Sequence, residues 1–228
     1  MEQLRGKALR KYKEELQLSK DQKELVIGSI LGDGNLRVPG RNKEANLIID
    51  QGEEQKDYVF WKYKIMREWT LTSPKKVVRV YHKDRTRKTI SWRFLTISHP
   101  EFTKFYRMFY HQGKKIIPES IKKLLNDPLT LAVWAMDDGT KSGKSFFLST
   151  QNYTRKEQER LIRYLKENFG IEGKVNIHSY WEGQVLYRIR INSNSIGKLY
   201  KLVKPYILPQ FHYKFPLYPR NDLLKKSR

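Results

Sequence analysis

Two stretches of this 228-residue chain decide its fold: VIGSILGDG at residues 26–34 and LAVWAMDDG at residues 131–139. Each is an apolar run that ends in Asp-Gly. A Ser-x-x-Gln capping box precedes the first run and predicts a helix from about Lys20 to Asp33. The second run follows an Asn-Asp cap and Pro128, which suits a first helical turn. Both helices are expected to end at Asp-Gly, and Gly34 is able to take the left-handed conformation that ends many helices.

The elements predicted after each stretch come in the same order, which indicates an internal duplication. Asp33 and Asp138, Gln51 and Gln151, and Lys115 and Lys214 are each separated by roughly 100 residues, and small drifts in spacing are what different loop lengths produce. The first series comprises a strand at 45–51, a helix at 56–69, strands at 77–82 and 90–98, and a helix at 100–110; the second comprises a strand at 145–151, a helix at 155–169, strands at 174–180 and 185–193, and a helix at 196–206.

No Gly/Ser-rich or Pro-rich linker separates the two halves, so they are predicted to form one pseudo-symmetric chain. Four segments are predicted along it. They are a basic N-terminal leader helix (1–19), an N-terminal half (20–125), a C-terminal half (126–217) and a basic C-terminal tail (218–228).

The composition points to a polyanionic partner. The chain has 46 Lys and Arg against 24 Asp and Glu, a net charge of +22, and a pI near 10.0. Its 39% hydrophobic and 13% aromatic content is enough to order a chain, so the charge does not indicate disorder. The apolar runs are far shorter than the roughly 20 residues of a membrane helix. We therefore expect an intracellular nucleic-acid-binding protein, not secreted, rather than a basic membrane-surface protein or an unusually basic domain with no such partner.

Catalytic chemistry must come from oxygen and nitrogen groups, because the chain has no cysteine. The helix dipole disfavours a carboxylate at a helix C-terminus, and two such helices side by side would also set Asp33 against Asp138. A divalent cation relieves both conflicts. Carboxylate and carbonyl ligands suit Mg²⁺, with Mn²⁺ able to substitute, rather than zinc. The plainer interpretation, that Asp-Gly is a common helix stop, is less favoured because the pattern occurs twice at matching places.

The two stretches resemble the paired motifs of the LAGLIDADG homing endonucleases. The resemblance extends to KKIIP at 114–118 and to the segment 205–216, which are similar to single-chain, intron-encoded members of the yeast mitochondrial omega-intron type, and it covers residues 20–217. The chain departs from the motif at two positions. Val133 replaces the motif's first Gly, and Asp137 replaces a small residue.

The resemblance implies an α+β fold of two α-β-β-α-β-β-α halves. In this family the motif helices form the central interface, and the antiparallel sheets form a saddle over the DNA major groove. It implies that Asp33 and Asp138 are metal ligands, helped by the backbone carbonyls of Gly32 and Asp137. It further implies that Lys115 and Lys214 lie near each scissile phosphate, and that Gln51 and Gln151 help to organise the attacking water. Ordinary solvated lysines and ordinary polar strand ends remain the alternatives for these last four residues.

Two basic stretches are candidate DNA-binding surfaces. Residues 75–93 carry eight basic side chains and one acidic one, with aromatic residues interleaved. Residues 187–192 alternate so that basic or amide side chains share one face of a strand and isoleucines share the other. Arginine pairs well with guanine, and asparagine with adenine, in the major groove. A solvated sheet face is the alternative. The candidate DNA-binding residues are Arg79, Tyr81, Arg93, Arg188, Arg190 and Asn192.

The sequence thus predicts a monomeric, metal-dependent, site-specific DNA endonuclease that makes a staggered double-strand cut in a long asymmetric target, as in intron homing. The main alternative is a maturase that binds intron RNA on the same scaffold. An inteinic domain is disfavoured because no terminal splicing residues are present, and a regulator is disfavoured because no helix-turn-helix is found. The compartment is expected to be a prokaryotic cytoplasm, a mitochondrion or a chloroplast. The five histidines show no metal-binding spacing and receive no role.

Overall fold

A computed structural model of the chain describes residues 5–40, 43–80, 86 and 88–216. The chain divides into two compact units, Met1–Met108 and Phe109–Arg228. The segment limits predicted from the sequence, with the halves meeting at 125 and 126, stay predictions.

The N-terminal unit contains one four-stranded sheet with helices before, between and after its strands. Two short 3-10 helices, Glu53–Gln55 and Arg67–Trp69, flank the central helix. The helices and strands are α1 (Gly6–Glu15), α2 (Lys20–Leu31), β1 (Asn35–Arg37), β2 (Asn46–Gly52), α3 (Lys56–Ile65), β3 (Lys75–Val80), β4 (Lys88–Leu95) and α4 (Pro100–Phe109).

The C-terminal unit begins with a small hairpin and a short helix and then repeats the same pattern. It ends, within the described residues, in a 3-10 helix at Pro209–Lys214. Its elements are β5 (Tyr110–His111), β6 (Lys114–Lys115), α5 (Ile121–Leu124), α6 (Pro128–Asp138), β7 (Gly139–Ser142), β8 (Ser145–Leu148), α7 (Arg155–Phe169), β9 (Gly173–Trp181), β10 (Gln184–Ile191) and α8 (Ser193–Val203).

The two units share one topology, which confirms the predicted α+β class and the repeated α-β-β-α-β-β-α order. From α2 to α4 and from α6 to α8 the elements alternate identically. The sheets are ordered β1-β2-β4-β3 and β7-β8-β10-β9, and all their pairings are antiparallel. The short strands β1 and β7, which begin at or just after Asp-Gly, were not among the individual strands located in the sequence.

Both motif helices begin as predicted and are buried over most of their length. The Ser19 side chain accepts from the Gln22 backbone N–H, and the Gln22 side chain accepts from the Ser19 N–H, completing the capping box. At α6, the Asp127 carboxylate accepts from the Leu129 N–H. The first helix ends two residues earlier than predicted, because Gly32 already leaves the helical conformation and serves as its C-cap.

The glycines that follow the two aspartates are required by close packing. Gly34 does not have a positive φ, so it does not adopt the left-handed conformation that a glycine allows at this position. A Cβ at Gly34 would lie 2.7 Å from the Ser29 Cβ and 2.8 Å from the Ser29 carbonyl oxygen. A Cβ at Gly139 would lie 2.3 Å from the Ala135 carbonyl oxygen. After each motif helix the backbone therefore turns back tightly against that helix. This turn fixes the position of the aspartate that precedes each glycine.

The sheet of the N-terminal unit has two distinct faces. On β2, Leu47, Ile49 and Gln51 are buried, while the intervening residues are partly exposed. Helix α3 covers the buried face through edge-to-face aromatic contacts, Phe60 with Trp92 and Tyr63 with Phe94. The side chains of Asp50 on β2 and of its partner on β4 therefore lie on the opposite face.

Helix α1 has no buried residue and is held to the N-terminal unit by polar contacts. The Tyr12 hydroxyl donates to the Glu68 carbonyl at 2.8 Å, and the Lys13 ammonium pairs with the Glu44 carboxylate at 3.0 Å. Among the helices formed by the described residues, none is both long and apolar enough to cross a membrane.

Candidate active site

In the N-terminal unit, the structure brings Asp33 and Gln51 together. Asp33 is exposed just beyond the end of α2. The Gln51 side-chain amide, which is only 5% exposed, donates from Nε2 to Asp33 Oδ2 at 3.2 Å. Strand pairing of Gln51 with Trp92 fixes the position of that amide. A carboxylate just past the end of α2 and a polar side chain near the end of the inner strand β2 thus lie within hydrogen-bond distance of each other.

In the C-terminal unit, Asp138 is the last residue of α6 and is half-buried. Its backbone carbonyl accepts from the Ser149 N–H at 3.0 Å, which ties the helix end to the chain after β8. Tyr153 is buried nearby. Burial first, and then the charges of Asp138, Tyr110 and Glu157, raise the pKa of the Tyr153 phenol, so it stays neutral at physiological pH.

Gln151 does not repeat the geometry of Gln51. It lies in a turn, three residues after β8 ends at Leu148, and is half-buried. The expected strand position is therefore wrong, because β8 stops short. Among the described residues the structure gives Gln151 no hydrogen bond to Asp138.

Lys214 lies at the end of α6. It is 8% exposed, and its ammonium donates to the backbone carbonyls of Met136 and Asp137, the latter at 3.2 Å. A cation is favourable at a helix C-terminus, where carbonyls lack helical partners. Lys115, its counterpart in the repeat, is half-buried on β6 opposite Tyr110.

The donor atoms at these helix ends fit a magnesium-type cation better than a softer metal. Within residues 5–40, 43–80 and 88–216, no three His, Cys, Asp or Glu side chains cluster as a metal site. Each unit offers one predicted carboxylate ligand together with a backbone carbonyl, of Gly32 or Asp137. Mg²⁺ is commonly held by one or two carboxylates, with waters and substrate phosphates completing its octahedron.

The open face of the N-terminal sheet carries two of the predicted DNA-binding arginines around a carboxylate. Asp50 and Arg93 are directly opposed on β2 and β4. Asp50 Oδ2 accepts from Arg93 Nε at 2.8 Å and from Arg93 Nη2 at 2.5 Å, and it also accepts from Arg79 Nη2. Burial raises the pKa of Asp50, but hydrogen bonds from Ser91, Arg93 and Arg79 outweigh it and lower the pKa overall. Tyr81 lies outside the described residues.

The C-terminal sheet holds its arginines differently. Arg188 and Arg190 alternate with the buried Ile189 and Ile191, as predicted. Their guanidinium carbons lie 3.8 and 6.0 Å from the centre of the Phe147 ring, and Phe147 is opposite Arg190 on β8.

Asn192 lies one residue beyond the end of β10, which stops two residues short of the predicted strand, and its role in DNA binding stays a prediction. It precedes α8 as the N-cap residue, and its backbone N–H donates to the Glu172 carbonyl at 2.9 Å. This bond continues the register in which Ile191 pairs with Gly173, and the chain enters α8 at the next residue.

Sequence reasoning did not identify Asp50, Phe147 or Tyr153 as site residues. Asp50 could have been found once Gln51 was placed on the buried face, because strand alternation then puts Asp50 on the open face. The strand register that sets Asp50 against Arg93 and Phe147 against Arg190 cannot be read from local sequence. Nothing in the sequence around Tyr153 indicates its burial near Asp138.

Comparisons with known proteins agree with this architecture. The model of the LAGLIDADG DNA endonuclease family matches residues 23–199. The probable intron-encoded endonuclease 1 of Wickerhamomyces canadensis is 31% identical over 218 residues, covering 92% of this chain and 90% of that protein. The cytochrome b mRNA maturase bI2 of Debaryomyces hansenii is 29% identical over 204 residues, covering 88% of this chain and 76% of that protein.

Solved structures give the same result. The homing endonuclease I-WcaI bound to its DNA recognition sequence superposes with a TM-score of 0.82 at 31% identity, covering 94% of each chain. I-DmoI in complex with DNA and Mn shares the fold, with a TM-score of 0.50 at 17% identity, covering 82% of this chain and 98% of that one. The family match spans most of the chain and both motif helices, so this protein belongs to the LAGLIDADG DNA endonuclease family.

Proposed function

We propose that this chain is a site-specific homing endonuclease that hydrolyses both strands of DNA in a divalent-metal-dependent, staggered cut. One observation carries the proposal. In each unit a buried helix is followed by a four-stranded antiparallel sheet that presents paired arginines, and an aspartate lies at the junction: Asp33 two residues past the end of α2, and Asp138 as the last residue of α6. Acidic groups for hydrolysis and basic groups for binding are thus built twice on one scaffold.

Asp33 and Asp138 are the proposed metal ligands, with the carbonyls of Gly32 and Asp137. A bound Mg²⁺ or Mn²⁺ would polarise the phosphate and lower the pKa of an attacking water. The hard oxygen donors at both helix ends support this choice of metal.

The remaining predicted site residues act around those aspartates. Gln51 holds the Asp33 carboxylate through its amide, and the amide can also orient a water beside it. Gln151 is proposed for the second site, where the same role requires its turn to approach Asp138 when DNA binds. Lys115 and Lys214 are proposed to stabilise negative charge near each phosphate. Lys214 is already held beside Asp137, where it would reach a phosphate bound at that helix end.

The proposed partner is double-stranded DNA with a long asymmetric target, bound by a monomer. The net charge of +22 and the similarity to DNA-bound I-WcaI support this partner. The intracellular compartment, whether cytoplasm or organelle, and the role in intron homing belong to the same proposal.

The decisive experiment is cleavage of a plasmid that carries the intron-free allele of the host gene. We expect the purified chain to linearise it with Mg²⁺. Asp33→Asn and Asp138→Asn should each abolish linearisation while DNA binding persists, because each change removes one metal-binding charge. Asp57→Asn, an exposed carboxylate change on α3, is the matched control and should cut normally. Linearisation by both site variants would contradict the proposal.

The alternative function, RNA maturation, is favoured by the similarity to the Debaryomyces hansenii maturase. A maturase on this scaffold would promote splicing of its own intron RNA, and Asp33→Asn and Asp138→Asn would leave that splicing intact. A splicing assay with the intron transcript separates the two functions. Splicing activity without DNA cleavage would favour the alternative.

A further inference from the structure

The N-terminal sheet carries a group of polar side chains that the proposed cleavage chemistry does not use. We call it the Asp50 cluster; its members are Asp50, Arg79, Ser91 and Arg93. The Asp50 side chain is 20% exposed, whereas those of Arg79 and Arg93 are 44% and 37% exposed. A partly buried carboxylate therefore lies beneath two guanidinium groups that reach the surface.

We propose that Asp50 is a positioning residue for sequence recognition, holding Arg93 so that its remaining N–H groups read a guanine in the DNA major groove. This inference rests on the proposed function and specifies how one half of the target is recognised.

Arg93 donates to Asp50 from one edge of its guanidinium group, which leaves the other edge suited to a guanine. Its Nε and Nη2 both donate to the same Asp50 oxygen, so one edge of the guanidinium is fixed. Within the described residues, the structure gives Nη1 no acceptor. Nη1 and the second N–H of Nη2 form the adjoining edge, which has the spacing required by guanine O6 and N7.

Arg79 is a support rather than a second reader. Its two terminal nitrogens are already engaged, Nη1 with the Ser91 hydroxyl at 2.8 Å and Nη2 with Asp50. Both arginines thus donate to the same carboxylate oxygen, Oδ2, and the Ser91 hydroxyl holds Arg79 in place beside Arg93. Fixing Arg93 in advance reduces the side-chain entropy lost when DNA binds.

Charge favours a base over a phosphate as the target of this cluster. Two guanidinium groups and one carboxylate leave a single net positive charge, so the cluster attracts a DNA phosphate less strongly than two arginines without a carboxylate would. The C-terminal sheet provides the contrast, because Phe147 takes the place that Asp50 has beside Arg93. Arg188 and Arg190 there retain their full charge over an aromatic ring.

The test is a binding profile measured with the full chain. Random-site selection with the wild-type protein defines the target, and duplexes with each base pair substituted in turn then give the relative affinities. We expect one G·C pair at which substitution weakens wild-type binding by about tenfold or more. Asp50→Asn and Asp50→Ala should reduce that penalty to within about twofold, the scatter we allow for no discrimination.

A double-substitution cycle tests whether Asp50 acts through Arg93. Arg93→Ala should remove the penalty at the same base pair, and adding Asp50→Asn to it should change nothing further. Glu54→Gln, an exposed carboxylate change in the neighbouring 3-10 helix, makes the same change in net charge and should leave the profile intact.

Two results would overturn the inference, and they can be told apart. A wild-type protein with no sequence preference would overturn the proposed function together with the inference. A wild-type protein with a clear target, whose profile survives both Asp50 variants while overall affinity changes uniformly, would overturn the inference alone. Urea unfolding of each variant separates loss of recognition from loss of fold.

Discussion

The Lys214 ammonium stabilises the C-terminal unit by binding the end of α6. It donates to two backbone carbonyls of α6 and is nearly buried, although its residue type predicts exposure. Lys214→Met keeps the side-chain volume but leaves both carbonyls without their charged donor. We expect the free energy of unfolding to fall by about 1.5–3 kcal/mol, the range for hydrogen bonds to charged groups. Urea unfolding measures the change. Lys201→Met, at an exposed position on α8, should have little effect, and equal losses in both variants would contradict this account.

His212 should make stability depend on pH. Burial, and then the positive charge of Lys204, lower the pKa of His212, whose ring lies 3.2 Å from the Tyr200 hydroxyl. The folded state keeps the imidazole neutral, while the unfolded chain takes up a proton as the pH falls through about 6.5. Stability is therefore lost from about pH 6.5 down to the lowered folded-state pKa. His212→Gln should show a smaller drop in urea midpoint between pH 7.5 and 5 than the wild type. His178→Gln, an exposed control, should drop as the wild type does, and equal slopes in all three would refute the argument.

At the scale of elements, two glycine substitutions in the C-terminal unit should change the free energy of unfolding in opposite directions. One glycine is tightly packed after the end of α6, and the other has open space around it in α8. Gly139→Ala would place a Cβ 2.3 Å from the Ala135 carbonyl and 2.6 Å from the Phe146 ring, so the chain must shift. We expect a loss of about 1–3 kcal/mol, as for an overpacked core. Gly197→Ala lies inside α8 with open space around it and should gain about 0.5–1 kcal/mol from helix propensity. Urea unfolding of both variants is the measurement, and destabilisation by Gly197→Ala would count against the packing analysis.

The elements also show how far the sequence could predict this structure. Local signals located the capping box at Ser19 and gave α7 its observed bounds, because a helix start and an amphipathic period are encoded within a few residues. Strands β1 and β7 have only three and four residues, and pairing with β2 and β8 defines them, so no local pattern could reveal them. The candidate site follows the same division. The two aspartates were predictable from helix endings, whereas the burial of Lys214 depends on tertiary packing.

At the scale of the whole molecule, the duplicated topology predicts a monomer that binds one DNA duplex. Each unit carries its own motif helix and sheet, so one chain supplies the two halves that an asymmetric target requires. We expect sedimentation of the free protein at 27.4 kDa and a complex of one chain with one duplex. A dimer in the complex, or a preference for palindromic duplexes, would contradict this prediction.

Because of the net charge of +22, the affinity for DNA should fall as the salt concentration rises. Each phosphate neutralised on DNA releases counterions and contributes about −0.9 to the slope of log affinity against log salt. A protein that makes six to ten such contacts loses roughly a thousandfold to a hundred-thousandfold in affinity between 50 and 200 mM salt. Fluorescence titrations over that range should give a slope this steep on both target and random duplexes, because phosphate contacts are blind to sequence. The affinity ratio between target and random DNA should vary far less with salt, since base contacts such as the one proposed for Arg93 release few ions. A shallow slope on random DNA would mean that the basic side chains of the two sheets do not face the DNA backbone.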